Sequence, residues 1–180
     1  MPPVICGVSC QKIMRYFEEF TKYLEEHDIE LPVGSTEDEI AGLEKDLGCV
    51  LPNAYREFLL LMGRDYEGVM VGTSCFLSDI KSNNEYLPEL LAENNLSEFL
   101  LPEKYVAFFC HQGYMMAWFA VPNDKDDPIC TFYFEGTTEK PKEYGSFSEF
   151  MNKDIMGNAK SRFENRYYEK SRRKWWQLWK

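Results

Sequence analysis

Residues 105–135 read YVAFFCHQGYMMAWFAVPNDKDDPICTFYFE and contain three runs rich in β-branched and aromatic residues. The runs are Tyr105–Cys110, Tyr114–Val121 and Ile129–Glu135, and turn residues separate each run from the next. This pattern predicts three neighbouring antiparallel strands. Apolar residues do not alternate with polar residues inside the runs, so we expect other elements to cover both faces of the sheet.

Helix signals precede these strands. Apolar residues at helical spacing between Ile13 and Leu24 predict an amphipathic helix that begins near Ser9. The stretch Thr36-Glu37-Asp38-Glu39 has the form of a capping box, in which a hydroxyl and a carboxylate satisfy free amides at a helix start. Gly48 is expected in the left-handed conformation beyond the end of this second helix.

Further helix signals lie on both sides of the strands. Pro52 is expected in the first turn of a third helix that closes at Gly63. Another helix is predicted around Glu85–Glu93, although Pro88 lies within it, and a short helix is predicted over Ser146–Met151. Helices and strands that are grouped in this way indicate an α+β fold.

Composition bounds the class of protein. The chain has 180 residues, a net charge of −10 and 44% hydrophobic residues, which suits one folded domain with a sizeable core. No apolar run is long enough to span a membrane and no export signal is visible, so we expect no stable membrane insertion. The six cysteines are expected to be reduced in a cytoplasmic protein.

The search for reactive groups predicts no catalytic, metal or cofactor site. Cys110 and His111 are adjacent, but consecutive strand residues point to opposite faces and do not form a nucleophile–base pair. Cys6 and Cys10 lack a second pair of ligands at zinc-site spacing. The acidic turn at 124–127 lacks the glycine and the distal glutamate of a calcium loop, so a solvated hairpin tip is the prediction.

Residues 160–180 form a basic, tryptophan-rich tail. They include eight basic and two acidic residues, a balance of +6, so the remainder of the chain carries −16. We therefore predict a domain over residues 1–159 followed by a helical tail over 160–180. The tail could bind an anionic surface, or its aromatic residues could pack on the acidic body. The overall negative charge argues against binding of nucleic acid.

An ordered set of residues resembles a known family. Its first half is Gly34-Ser35-Thr36-Glu37-Asp38-Glu39-Ile40, Leu43-Glu44, Leu47-Gly48, Leu51-Pro52, Tyr55, Phe58-Leu59 and Gly63. Its second half is Leu101-Pro102-Glu103-Lys104-Tyr105, Phe108, Gly113-Tyr114, Trp118-Phe119, Asp127-Pro128, Phe132-Tyr133-Phe134-Glu135-Gly136, Ser146-Phe147 and Phe150. The set covers about residues 10–155 and is similar to the SUKH superfamily. Met62-Gly63 departs from the Asn-Gly pair that is usual in that family at the end of the third helix.

The resemblance carries its own expectations. It implies a single SUKH-like domain with a mixed, mainly antiparallel sheet flanked by N-terminal helices, closed by a C-terminal helix, and no enzyme activity. Bacterial members resemble immunity proteins that block a cognate toxin, often a nuclease. Fungal members resemble regulators of wall glucan synthesis and signalling.

The acidic charge of this chain suits electrostatic attraction to a basic toxin domain, although it could serve solubility alone. We therefore hypothesise an immunity protein that binds a basic toxin domain, with a regulator or scaffold of glucan synthesis as the alternative. The predicted contact residues combine aromatic anchors with surrounding charge, and they are Tyr114, Trp118, Asp124, Asp126, Asp127 and Glu135. Core packing is the alternative for Tyr114 and Trp118. The oligomeric state is not predicted.

Overall fold

The structure, a computed structural model, describes residues 14–64 and 69–177, with side chains described up to Phe163. Its helices are α1 (Glu18–Glu26), α2 (Glu37–Leu47), α3 (Asn53–Met62), α4 (Ile80–Glu93) and α5 (Phe147–Gln177). Its strands are β1 (Thr73–Ser74), β2 (Tyr105–His111), β3 (Met115–Ala120), β4 (Ile129–Phe134) and β5 (Lys142–Ser146). A short 3₁₀ turn, Leu77–Asp79, precedes α4.

The strands form one five-stranded sheet in the order β1-β2-β3-β4-β5. Every pairing between these strands is antiparallel, so the sheet is a meander in the described part of the chain, and the mixed character that the resemblance implied is not seen there. The three central strands agree with the prediction to within a few residues at their ends. β1 and β5 were not predicted, because a strand of two residues and a polar strand of sequence KEYGS lack a hydrophobic pattern.

The first face of the sheet carries the larger core, packed against α1, α3 and α5. Phe147, at the start of α5, lies at its centre, with its ring centroid 4.9 Å from that of Phe108 and 5.2 Å from that of Tyr55. The register of β2 on β3 shifts between Val106 and Phe109. This irregularity lets the consecutive Phe108 and Phe109 join the same core.

The second face carries a smaller core beneath α4. Leu87, Leu90 and Leu91 of α4 pack with Trp118 and other residues of β2, β3 and β4. Both faces are therefore covered, as the lack of alternation in the strands predicted. Pro88 lies inside α4 on its exposed side, and the helix extends further towards its N-terminus than predicted.

The predicted helix starts are confirmed in part. The capping box is present, since the Thr36 hydroxyl accepts from the Glu39 amide and the Glu39 carboxylate accepts from the Thr36 amide. Gly48 has a φ of 65° and ends α2 as predicted. Pro52 precedes α3 as its cap residue instead of occupying the first turn.

The two ends of the chain correct the prediction. The first helix begins at Glu18 and not near Ser9, because residues 14–17 are not helical, and the part of the prediction before residue 14 lies outside the described residues. The short helix predicted over Ser146–Met151 is the start of α5, which continues without a break to Gln177 and so includes most of the predicted tail. Packing of the tail tryptophans lies outside the described side chains.

Among the described residues, none of the helices combines the length and the apolar composition of a membrane-spanning segment.

Candidate functional site

Five of the six predicted contact residues lie at two opposite ends of the sheet, and the sixth, Trp118, lies within β3. Tyr114 and Glu135 flank the β3–β4 pair at one end, where the Glu135 amide donates to the Tyr114 carbonyl at 2.9 Å. The acidic turn at 124–127 joins β3 to β4 at the other end. Each strand has six residues, so at about 3.3 Å per residue the two ends are about 20 Å apart. The residues therefore form two separate groups and not one surface.

Trp118 belongs to neither group. Its side chain is 1% exposed and lies in the core beneath α4, with its ring 6.1 Å from that of Phe99 in an edge-to-face arrangement. The structure places Trp118 in the core, which was the alternative interpretation of this residue. A partner cannot contact the Trp118 side chain in this conformation, and we do not retain it as a contact residue.

The acidic turn is largely engaged within the domain. Asp127 accepts hydrogen bonds from the backbone amide and the hydroxyl of Ser148, at 2.9 and 2.6 Å, and so caps the start of α5. Asp126 accepts from the Asn53 side chain at 2.6 Å, and its carbonyl accepts from the Ala54 amide at the start of α3. Asp124 is exposed to solvent. Asp126 and Asp127 therefore hold the turn against two helices.

The other end of the sheet combines tyrosines with carboxylates. We define the tyrosine–acidic face as Tyr86, Glu89, Glu93, Tyr114 and Glu135. The Tyr86 hydroxyl donates to the Gly113 carbonyl at 2.9 Å, which brings α4 to the β2–β3 turn. Burial, followed by the negative field of nearby carboxylates that include Glu93 and Glu135, raises the pKa of the Tyr86 phenol. The Tyr86 hydrogen bond places α4 beside the β2–β3 turn, and Glu135 is paired with Tyr114 next to that turn, so α4 and the end of β4 both bring carboxylates to this end of the sheet.

Tyr114 is held in place by aromatic neighbours. Its ring stacks on Phe134 with a centroid separation of 5.6 Å and meets the edge of His111 at 5.9 Å. Its hydroxyl donates to the Gln112 side chain at 3.3 Å. Tyr114 is half-buried, so it presents part of an immobilised ring to solvent. A ring that is already ordered loses little side-chain entropy when a partner covers it.

The carboxylates of this face differ from those on the α2–α3 side of the domain. Arg56 pairs with Glu37 and Glu44, each at 2.6 Å, and Arg64 pairs with Glu39 at 2.8 Å. Glu89, Glu93 and Glu135 are exposed, and no basic side chain in the described part of the chain pairs with them. The carboxylates of the tyrosine–acidic face are therefore unpaired, whereas three of the five carboxylates of α2, those of Glu37, Glu39 and Glu44, are paired with arginines.

The sequence analysis selected Tyr114 and Glu135 of this face as contact residues, and they stay a prediction; it did not select the α4 residues. Glu89 and Glu93 are four residues apart and so share one side of a helix, a signal that the sequence contains. Their proximity to Glu135 depends on how α4 crosses the sheet, which periodicity does not reveal.

The reactive side chains are placed as follows. Cys110 is 8% exposed in the core beneath α4, and burial raises the pKa of its thiol, which disfavours the nucleophilic thiolate. The adjacent His111 lies within 2.7 Å of the Thr73 hydroxyl through Nδ1. Among the residues with described positions, no group of His, Cys, Asp and Glu side chains could hold a metal ion. Cys6 and Cys10 lie outside the described residues.

Comparison with known proteins gives the family. The family model described as SMI1 / KNR4 family (SUKH-1) matches residues 34–153, which include α2, α3, α4 and all five strands. The search of curated proteins found no match. The family match spans two thirds of the chain and agrees with the ordered residues identified in the sequence. The chain therefore belongs to the SMI1/KNR4 (SUKH-1) family.

Proposed function

We propose that this protein is a cytoplasmic immunity protein that neutralises a toxin by binding a basic domain of that toxin directly. The observation that carries the proposal is the tyrosine–acidic face, where unneutralised carboxylates surround two immobilised tyrosines. Membership of the SUKH-1 family supports a protein-binding role at the level of the family.

Charge gives such a face its attraction for a basic partner. The chain carries −10 overall, and the field of an acidic surface accelerates encounter with a cationic domain. A nuclease is one suitable target, because its nucleic-acid groove is lined with cations that Glu89, Glu93 and Glu135 would neutralise. Binding there would also exclude the nucleic acid substrate from the groove.

The tyrosines give the face its anchors. Interface hot spots are enriched in aromatic residues that are packed and shielded from water. Tyr86 and Tyr114 are both half-buried and both hydrogen-bonded within the domain, so each has a fixed position before a partner arrives. Tyrosine also offers an apolar ring and a polar hydroxyl to the partner.

Affinity capture from the native host, at low and at high salt, would identify the partner. The binding of the captured toxin would then be measured for two triple variants with the same charge change. Glu89→Gln/Glu93→Gln/Glu135→Gln removes the charge of the face, and Glu19→Gln/Glu25→Gln/Asp46→Asn removes equal charge from exposed positions on α1 and α2. We expect the first to weaken binding by about tenfold or more and the second by much less.

Equal loss of affinity in the two triple variants would contradict the proposed face. Capture of envelope-synthesis or signalling proteins, with no toxin, would overturn the immunity role and favour the alternative of a glucan-synthesis regulator.

A further inference from the structure

A polar cleft lies on the other side of the domain from the tyrosine–acidic face. Its volume is about 300 Å³, at the lower limit of typical ligand pockets. The floor is the outward side of α3, where Asn53, Arg56, Glu57 and Leu60 follow one another at helical spacing. The non-helical residues 14–16 form one wall, and Glu37 at the start of α2 contributes to the rim.

Two charged groups in the cleft are fully committed to the domain. Arg56 binds two carboxylates at 2.6 Å, those of Glu37 and Glu44. Glu57 accepts from the three consecutive amides of residues 15–17, at 2.9, 2.7 and 3.0 Å, and so holds the wall against α3. These contacts give the cleft a fixed shape, and they leave Arg56 and Glu57 with little capacity for a ligand.

Arg15 is held much more loosely. Its side chain is 73% exposed, and its guanidinium lies 3.9 Å from the Asp126 carboxylate, beyond hydrogen-bond distance. The same guanidinium lies 5.1 Å from the centre of the Tyr16 ring. Asp126 and Tyr16 thus offer a carboxylate and an aromatic ring to one guanidinium group, which is the pairing that recognises arginine.

The charge balance of the cleft favours a cation. Its lining carries two guanidinium groups and two carboxylates, those of Glu37 and Glu57, and so is neutral. Glu44 and Asp126, which lie beside the lining and pair with its arginines, add two negative charges. An anionic ligand would meet this excess negative charge. A further cation would be attracted by this negative charge and would compete with the exposed Arg15 for the position beside Asp126.

We propose that this cleft binds an arginine side chain of another polypeptide, whose guanidinium takes the position of Arg15 between Asp126 and Tyr16. The methylene groups of the incoming side chain lie against Met14 and Leu60, which supply the apolar part of the lining. The proposal does not depend on the tyrosine–acidic face or on the identity of a toxin.

The test uses the full-length protein and a small probe, Nα-acetyl-L-arginine methylamide, titrated while amide NMR shifts are followed. We expect weak, saturable shifts around the cleft, and none from the matched citrulline compound, which is neutral and of similar shape. Arg15→Gln removes the internal competitor and should tighten binding of the probe about two- to fivefold, whereas Asp126→Asn should weaken it by a similar factor. Added salt should weaken binding in every case.

Several results would overturn the proposal. One is weaker binding of the probe by the Arg15→Gln variant, which would mean that Arg15 itself holds the ligand. Equal binding of the citrulline compound, or no saturable shift, would also exclude an arginine site. Binding of free L-arginine without binding of the blocked probe would replace the polypeptide side chain with an amino-acid ligand. Asp126 also accepts a hydrogen bond from Asn53, so the Asp126→Asn result is used only if the NMR spectrum of that variant is that of the folded protein. If it is not, the Arg15→Gln variant tests the proposal, because Arg15 is exposed.

Discussion

Replacement of Asp127 by alanine is expected to lower the free energy of unfolding without loss of a partner contact. Three amides at the start of α5 lack acceptors within the helix, and each finds one outside it. The Phe147 amide donates to the Pro128 carbonyl at 2.8 Å, the Ser148 amide to Asp127 at 2.9 Å and the Glu149 amide to the Ser146 hydroxyl at 3.3 Å. Asp127 also accepts from the Ser148 hydroxyl.

The expected magnitude follows from these contacts. Loss of a capping acceptor costs about 1 kcal/mol, and loss of a negative charge at a helix N-terminus costs about 0.3–1 kcal/mol more. We therefore expect about 1.3–2 kcal/mol for Asp127→Ala. Asp127→Asn keeps one acceptor oxygen for the Ser148 amide, and its NH2 group can donate to the Ser148 hydroxyl oxygen in place of accepting from it, so the charge is the main loss and we expect under about 1 kcal/mol. For a chain of this size, the Asp127→Ala change corresponds to a fall of about 3–8 °C in Tm.

Urea unfolding followed by circular dichroism measures the difference, provided that the slope with urea is unchanged. Asp124→Ala is the matched control, because Asp124 is exposed on the same turn, and its effect should be within about 0.5 kcal/mol of zero. Equal stability of the Asp127→Ala and Asp124→Ala variants would refute the capping role. A loss of partner affinity in the Asp127→Ala variant, with stability unchanged, would restore Asp127 as a contact residue.

Four further changes test other parts of the structure. Glu57→Gln should lower the free energy of unfolding by about 1–3 kcal/mol and speed hydrogen exchange of the three backbone amides of residues 15–17. A glutamine side chain has one acceptor oxygen and no charge, so it cannot accept from all three. Phe147→Ala should cost about 3–5 kcal/mol in urea unfolding, because the ring lies at the centre of the larger core, and a cost under about 1 kcal/mol would contradict that position. Burial raises the pKa of Asp154, so its ionisation lowers stability as the pH rises above about 4; Asp154→Asn should remove this loss in a series of melting curves against pH. The hydrogen bond from Arg64 and the capping box hold the pKa of Glu39 at about 2, below the usual 4.5. The contribution of Glu39 to the free energy of unfolding is therefore present above pH 4.5 and is lost as the pH falls towards 2. Glu39→Gln should reduce the fall in Tm between pH 4.5 and pH 2, and an unchanged fall would exclude Glu39 as its source.

Local patterns predicted much of the fold. The capping box at Thr36 and the glycine at position 48 are interactions among residues close in sequence, so they can be identified without a structure. The three central strands were predicted because long runs of aromatic and β-branched residues are compatible with little else. The start of α1 was mispredicted, because apolar spacing continues into residues whose amides bind Glu57, about 40 positions away in the chain.

The α+β class, the central strands, the acidic charge and the ordered residues that resemble the family all follow from the amino-acid sequence. These features are encoded in local periodicity, turn residues and composition. Which side chains a partner can reach depends on contacts in the folded domain. Trp118 is buried, both carboxylate oxygens of Asp127 bind Ser148 at the start of α5, and the Tyr86 hydroxyl reaches Gly113, 27 positions away. Exposure and ion pairing depend on contacts between segments that are distant in the chain, and periodicity within one segment carries no information about such contacts.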